Sequence, residues 1–568
     1  MSEIDRRTFL KGTAALGAAG ASAVLLDACG GNGSTSPPPT LKKNVAEHVG
    51  VGVGKPKLGG SVTFGTEAEE AGIDPTYAHF DSTGVLYARA VYDPLAIVDF
   101  NGNVQPYLAE SITPNSDYTK WVITLRPNIV FHDGTPLDQQ ALLFCMREFL
   151  ISALTNFAFT NYMDVKNPNK AVTPGPGPLS VTLNMEQPWV PFEYWLAGYI
   201  GGQMAYVFSP TAYQSKGEAY FNTHPVGTGP FVFQQWVPGS HFSLTKNRHY
   251  WRKDRYGNRL PYVDSWTYKP IPDVDTRYSA LESGEIQIMH TDYDPIIQQV
   301  IANSSLASLG DNSLSVGEPD IDFIMINVAD KIMSDIDLRK ALAYGTNQAA
   351  VCRDLGKNIT TPTNGPFPAP SPFHSDTGYP QYDLAKAKSY FKAFLSRYGG
   401  KQPTITYTTT NTTQSQADAS YMRAMWQAFG LNVQIAQVEQ SSLIDDALQG
   451  GYQMFSWRQF ANVNPDLNYI FWATTSGPIN FARNYDPIIQ KALDTARQSG
   501  DPSVRAAEYE KIAHRFAVDL PYIYTNRDVW YIAAQKSIQN WNNPTTPTGG
   551  RGLTMLSGII WPTEIWVS

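Results

Sequence analysis

Cysteine is scarce: Cys29, Cys145 and Cys352 are the only three in 568 residues. No C-x-x-C pair and no His/Cys spacing suited to zinc occurs, which argues against a zinc-ribbon or dithiol redox protein. Cys145 and Cys352 lie in apolar helical stretches far apart in the chain, where buried, unpaired thiols are the expected state. Charge is also thin. Asp, Glu, Lys and Arg make up 17% of the chain, with a formal net charge of −8 and no basic cluster. Nucleic acid is therefore not an expected partner, because phosphate binding needs a concentrated basic surface. No apolar run of eighteen residues follows Leu26. The chain alone is not expected to form a channel, so a transport role requires a membrane partner.

Catalytic signatures are missing too. There is no G-x-S-x-G and no H-E-x-x-H. Ser389-Tyr390-Phe391-Lys392 has the S-x-x-K spacing of penicillin-recognising enzymes, but the K-T-G and S-D-N companions are absent. Gly50 to Lys55 resembles a phosphate loop, yet Pro56 stands where Ser or Thr is needed and no strand precedes it. It reads as linker. His132-Asp133-Gly134-Thr135 reads as a turn in which Gly134 takes a positive φ, rather than as an acid–base pair.

Aromatic residues are plentiful, at 12%. They serve either a large core or a cavity walled with flat apolar faces. The length exceeds what one ordinary core supports, so two or more lobes are expected. The first thirty residues have a different purpose. Arg6-Arg7-Thr8-Phe9-Leu10-Lys11 precedes an Ala/Gly-rich apolar run to Leu26. A charged start and a short apolar stretch make a secretory signal, and paired Arg6 and Arg7 resemble the twin-arginine address. Asp5 stands where Ser or Thr is usual. Leu26-Asp27-Ala28-Cys29 resembles a bacterial lipobox, with Asp27 departing from its pattern, so lipidation of Cys29 is expected. The segment GGNGSTSPPP after it has the composition of a tether.

Ordered structure is expected from about Lys57. Val62 and Phe64 alternate with polar neighbours, as do Trp121, Ile123 and Leu125. Phe231 and Phe233, the turn Val237-Pro238-Gly239-Ser240, then Phe242 and Leu244 predict a hairpin. Farther on, strands alternate with helices. Leu384, Ala387, Phe391 and Leu395 share a helical face, and a strand is expected over 404–407. Met422, Met425, Trp426 and Phe429 form a second face, stopped at Gly430, and Val433 and Ile435 begin the next strand. A short helix over 441–448 leads to a strand over 452–457. That rhythm implies a parallel sheet, whose ligands bind beyond the carboxyl ends of its strands. The loops 408–414 and 458–464 are the candidate site.

Several segments, in order, resemble the peptide/nickel/oligopeptide class of ABC-transporter solute-binding proteins, extracellular family 5. They are Tyr92-Asp93-Pro94-Leu95, Leu108-Ala109-Glu110-Ser111, Phe131 to Pro136, Pro225 to Phe231, Lys246-Asn247, Tyr250-Trp251, Leu281 to Glu285, Asp337 to Leu342, Asn480 to Tyr485 and Asp519-Leu520-Pro521. The resemblance implies an α/β, two-lobed periplasmic-binding-protein fold of type II-like form, with a subdomain inserted in lobe I. The implied segments are a signal at 1–29 and a tether at 30–56. Lobe I spans 57–91, 196–271 and 529–568, the insertion 92–195, and lobe II 272–528. It also implies a receptor and not an enzyme: a monomer, with no cofactor, that closes on a small molecule and passes it to ABC permease and ATPase subunits. The rival readings are an exported hydrolase using the same cleft and a receptor or chaperone not coupled to import.

The family's peptide-binding members place an Asp four residues before the Pro of a W…(D/N)P loop, to hold the ligand's α-amine. Here that position is Ala461, ahead of Pro465. Dipeptide receptors put an Arg in the preceding loop; residues 407–411 contain none. Free short peptides are thus disfavoured, and oligosaccharides, anions or other solutes stay open. The candidate ligand contacts are Glu67, Tyr407, Thr408, Thr409, Asn411, Trp457, Arg458, Phe460, Asn462 and Arg483, with Arg458 and Arg483 available to an anion. No His lies in either site loop, so no metal is expected.

Overall fold

The computed structural model describes residues 49–568 except 79, 201, 312–317 and 370. The signal, Cys29 and most of the tether lie outside the described residues.

Two large sheets carry the fold. In the first, the strand order is Leu306–Gly310, Tyr531–Gln535, Ile288–Thr291, Ser61–Thr66, Ser265–Pro270, His241–Lys246 and Phe231–Val237. Its centre is parallel: Ser61–Thr66 runs alongside both Ser265–Pro270 and Ile288–Thr291. In the second, the order is Thr361–Pro362, Tyr522–Arg527, Ile321–Ile326, Met454–Gln459, Thr406–Thr410 and Gln434–Val438. Here Thr406–Thr410 lies parallel to both Met454–Gln459 and Gln434–Val438. Helices Thr413–Gln427 and Gln440–Gln449 are the crossovers between these strands. A third, four-stranded antiparallel sheet covers Ala109–Pro114, Lys120–Leu125, Val172–Pro174 and Ser180–Asn184.

Local chemistry accounts for these elements. Trp121, Ile123 and Leu125 are buried while their neighbours are not, so one face of that strand is a core face. Helix Leu384–Ser396 starts at Asp383, whose carboxylate accepts from the Lys386 N–H, and buries Ala387, Phe391 and Phe394. Gly430 takes φ +104°, a conformation that ends the helical stretch before it. Gly134 takes φ +83° in the turn where its N–H donates to the Phe131 carbonyl.

Three expectations need correction. Residues 288–291 and 306–310, expected in lobe II, pair into the first sheet instead. The chain passes between sheets after Gly310 and before Ile321, not at 272, and returns between Arg527 and Tyr531. The two crossings hold each other: Asp311 N–H donates to the Trp530 carbonyl at 2.9 Å, and Asp528 N–H to the Asp320 carbonyl at 2.9 Å. The tether does not run to 56. Asn542 N–H donates to the Gly50 carbonyl and its side chain to that of Val49, at 3.2 and 2.7 Å. Gly50 lies so close to Trp541 that no Cβ would fit. Finally, Thr408, Thr409 and Thr410 continue their strand, because β-branched residues extend it in register with 436–438.

Candidate functional site

A cavity of about 360 Å³ lies where the two sheets face each other. Its first wall comes from residues just past strand ends: Glu67 follows Ser61–Thr66, and Asp292 follows Ile288–Thr291. The second sheet supplies Tyr407, Thr410, Ser456, Trp457 and Arg458. The inserted segment adds Phe159 and Trp195, and the two crossover helices add Asp418, Met422, Leu443 and Ile444. Binding beyond the carboxyl ends of parallel strands is what such sheets provide.

Arg458 joins the two sheets. It donates to Glu67 and to Asp292, both at 2.7 Å, and its guanidinium lies 4.7 Å from the centre of the Trp530 ring. Taking three charges out of water is costly, and the short, directed bonds offset that cost. Glu67 is held by its backbone as well, its N–H donating to His290 Nε2 at 3.0 Å. That bond needs a neutral His290, and burial beside Arg277 and Arg458 pushes its pKa well down. A second tie runs from Gln440, on the crossover helix, to the Asp81 carboxylate.

The cavity is acidic. Seven carboxylates line it against two guanidinium groups, those of Arg277 and Arg458. Asp322 sits opposite Arg458 on one neighbouring strand and opposite Asn526 on the other, and accepts from Asn526 Nδ2 at 2.9 Å. Asp294 is the first residue of helix Asp294–Ala302. Burial, followed by the nearby Asp292 and Asp322 charges, raises its pKa to about 9. Asp418 is raised to about 7 by burial and by Asp292. Asp322 also reaches about 7, chiefly through burial, as does Glu67 in spite of Arg458.

Of the expected contacts, Glu67, Tyr407, Trp457, Arg458 and Phe460 line the cavity. Thr408, Thr409, Asn411, Asn462 and Arg483 do not. Thr409 is enclosed within the sheet. Asn411 donates to the Glu439 carboxylate. Asn462 is buried, bonding Asn468 at 3.0 Å and exchanging backbone bonds with Glu318. Arg483 is occupied by carbonyls, donating to those of Ala447 and Leu448 at 2.9 and 2.7 Å and to that of Asn480 at 3.0 Å. It closes off helix Gln440–Gln449 and is not available to an anion. Ala461 is buried, its N–H donating to the Asp320 carboxylate.

The carboxylates at 292, 294, 322, 418 and 528 were not expected. The pattern Thr291-Asp292-Tyr293-Asp294-Pro295, with two acids at the end of a strand, is the one signal in the sequence that marks them. The others come together only through the tertiary fold: Asp322 on a strand, Asp418 on helix Thr413–Gln427 and Asp528 just past strand Tyr522–Arg527.

Two facing α/β sheets joined by two hydrogen-bonded crossings, with a ligand-sized cavity between them, define a two-lobed solute-binding fold. Residues 103–481 match the family described as bacterial extracellular solute-binding proteins, family 5 Middle, and the chain belongs to that family. Residues 3–23 match the twin-arginine translocation pathway signal sequence. Among relatives, the glutathione-binding protein GsiB of Salmonella paratyphi A is 24% identical over 472 residues, covering 79% of this chain and 86% of its own. Two solved structures share the fold. The periplasmic binding protein DppA of Helicobacter pylori, in complex with peptide STSA, has a TM-score of 0.76 at 19% identity, covering 90% of this chain and 98% of that one. The oligopeptide-binding protein AppA of Bacillus subtilis, in complex with a nonapeptide, also has a TM-score of 0.76 at 19% identity, covering 90% and 100%. This chain is accordingly a solute receptor of the ABC-importer type, and its signal supports export to the periplasmic side.

Proposed function

We propose that this receptor encloses one small organic solute between its sheets and delivers it to a membrane permease, and that free di- and tripeptides are poor ligands. The observation that carries the reading is the cavity itself, walled by both sheets and by the inserted segment, with Arg458 bridging the two sides. Closure on a solute that touches both sides is a population shift, and the closed form is what a permease recognises. No covalent step is needed. Arg458 is already paired with two carboxylates, so a peptide's carboxylate has no free partner there.

Anchoring belongs to the same reading. Cys29 would carry the lipid, and the stretch after it would let the domain move over the membrane. Cys29→Ser should shift the protein from the membrane fraction to the soluble fraction; identical fractionation of parent and variant would remove the anchor. For the receptor role, the mature domain is screened by thermal shift against short peptides, oligosaccharides and small metabolites. A ligand at a hundredfold excess over Kd stabilises the protein by about 2.7 kcal/mol. Tight binding of a simple dipeptide would contradict the exclusion of peptides. Turnover of any bound compound would contradict the receptor reading itself.

A further inference from the structure

We propose that one end of the cleft is a cation subsite, in which Asp294, Asp322, Asp418 and Asp528 receive an ammonium or guanidinium group of the solute. This deepens the receptor reading and rests on it. All four side chains line the one cavity. Asp294 is only 7% exposed, and its Oδ1 has no hydrogen-bond partner. Asp322 accepts one side-chain bond, from Asn526. Asp528 accepts one, from the Val529 N–H at 2.8 Å. No hydrogen bond or ion pair to the Asp418 carboxylate is found among the described residues.

The local cations are already committed. Arg458 is held by Glu67 and Asp292. Arg277 points its guanidinium at the carbonyls of Ile271 and His290. Buried carboxylates without a counter-charge are costly, and proteins tolerate them where something else supplies the charge. No group of His, Cys, Asp and Glu among the described residues is arranged to hold a metal ion. An organic cation, with several N–H donors spread over a larger volume, suits the dispersed carboxylates better. Phe159, Trp195, Phe471 and Phe481 line the same cavity and offer faces to an apolar body. The solute is therefore an amphipathic cation.

Proton linkage follows from the surroundings. Burial and the charges of Asp292, Asp322 and Asp418 raise Asp294 to about 9, while burial and Asp292 raise Asp322 and Asp418 to about 7. The charged neighbours are Arg458, Arg277, Glu67, Asp292 and Asp320. Tyr293, Tyr407 and Cys352 are all pushed up and stay neutral through this range. A bound cation stabilises the ionised carboxylates, so binding releases protons and tightens as pH rises from 6 towards 9.

The test uses three probes with one apolar body: 4-phenylbutylamine, 4-phenylbutanol and 4-phenylbutyrate, titrated calorimetrically into the mature domain. The amine should bind at least tenfold more tightly than the alcohol at pH 8, with a smaller margin at pH 6, and the carboxylate should bind weakest. Asp294→Asn combined with Asp418→Asn should abolish the amine's advantage. If that double variant does not fold, Asp418→Asn alone should reduce the advantage. Equal or tighter binding of the alcohol or carboxylate overturns the cation subsite and leaves the receptor reading intact. So does an amine advantage that survives the substitutions. Absence of binding by all three also counts against the subsite, while the receptor reading is judged by its own solute screen.

Discussion

Arg458 shows how one side chain decides what the cleft excludes. Read as a free cation it invites an anion; held by Glu67 and Asp292 it has its hydrogen-bonding edges already taken by carboxylates. Removing it leaves two largely buried carboxylates without their shared counter-charge. Arg458→Gln should therefore cost about 3–5 kcal/mol in thermal or chemical unfolding, and Glu67→Gln with Asp292→Asn in the same chain should recover much of the loss. Asp294 makes the opposite case. Its native pKa, about 9, lies above its unfolded value, so the native state holds a proton that the unfolded state has lost. Stability from this group is thus lost as pH rises between about 4 and 9. Asp294→Asn should stabilise the ligand-free protein, and the gain should grow from pH 5 to pH 8. The buried His132 and His290 have pKa values shifted downward, but they are common to both proteins and cancel in the difference. A gain that shrank with pH would contradict the assignment. Trp457 lines the cavity edge-on to Phe481, with ring centres 5.2 Å apart. Trp457→Ala should weaken solute binding by more than about 1 kcal/mol if the ring stacks on the solute, and its fluorescence should change on binding.

Elements with one buried face were legible in the sequence, and elements defined by a distant neighbour were not. The hairpin Phe231–Val237 and His241–Lys246 sits where its alternation and its Pro-Gly turn place it. Helices Leu384–Ser396 and Gln440–Gln449 also fall where the apolar spacing puts them. The strand Thr406–Thr410 runs beyond its expected end at 407, because a run of threonines suits both a hydroxyl-lined loop and a β-strand. Strands Ile288–Thr291 and Leu306–Gly310 look like any α/β unit; only their pairing with Ser61–Thr66 and Tyr531–Gln535 assigns them to the first sheet. The acid cluster was hidden for the same reason, since Asp294, Asp322, Asp418 and Asp528 are far apart in sequence. Arg483 belongs at this scale. It serves carbonyls at the end of helix Gln440–Gln449, with its own φ at +56°. Arg483→Ala should cost about 1–3 kcal/mol of stability and leave solute affinity unchanged; a large loss of affinity at full stability would restore it to the site. Cys145 and Cys352 are each buried and unpaired. Thiol titration of the mature domain, beyond Cys29, should find two groups in denaturant and almost none without it.

Across the whole molecule, the parts are tied by buried polar contacts rather than by one continuous sheet. The inserted segment reaches the second lobe through Asp466, which accepts from Trp189 and Trp195 at 3.0 and 2.7 Å and pairs with Arg497 at 2.8 Å. The Arg497 guanidinium lies 3.5 Å from the centre of Tyr469 and 3.9 Å from that of Trp189. Arg458 and Gln440 tie the lobes on the cleft side. Closure around a solute would therefore draw on groups that the protein already holds in place, and the unpaired carboxylates are the part left for the solute to complete. The most direct measurement is equilibrium dialysis of the mature domain against a total metabolite extract at pH 8, followed by denaturation and mass spectrometry of what is released. The account predicts one small molecule per chain, carrying an amine or guanidinium on an apolar body. Enrichment of a compound without a basic nitrogen, or of nothing at all, would contradict it.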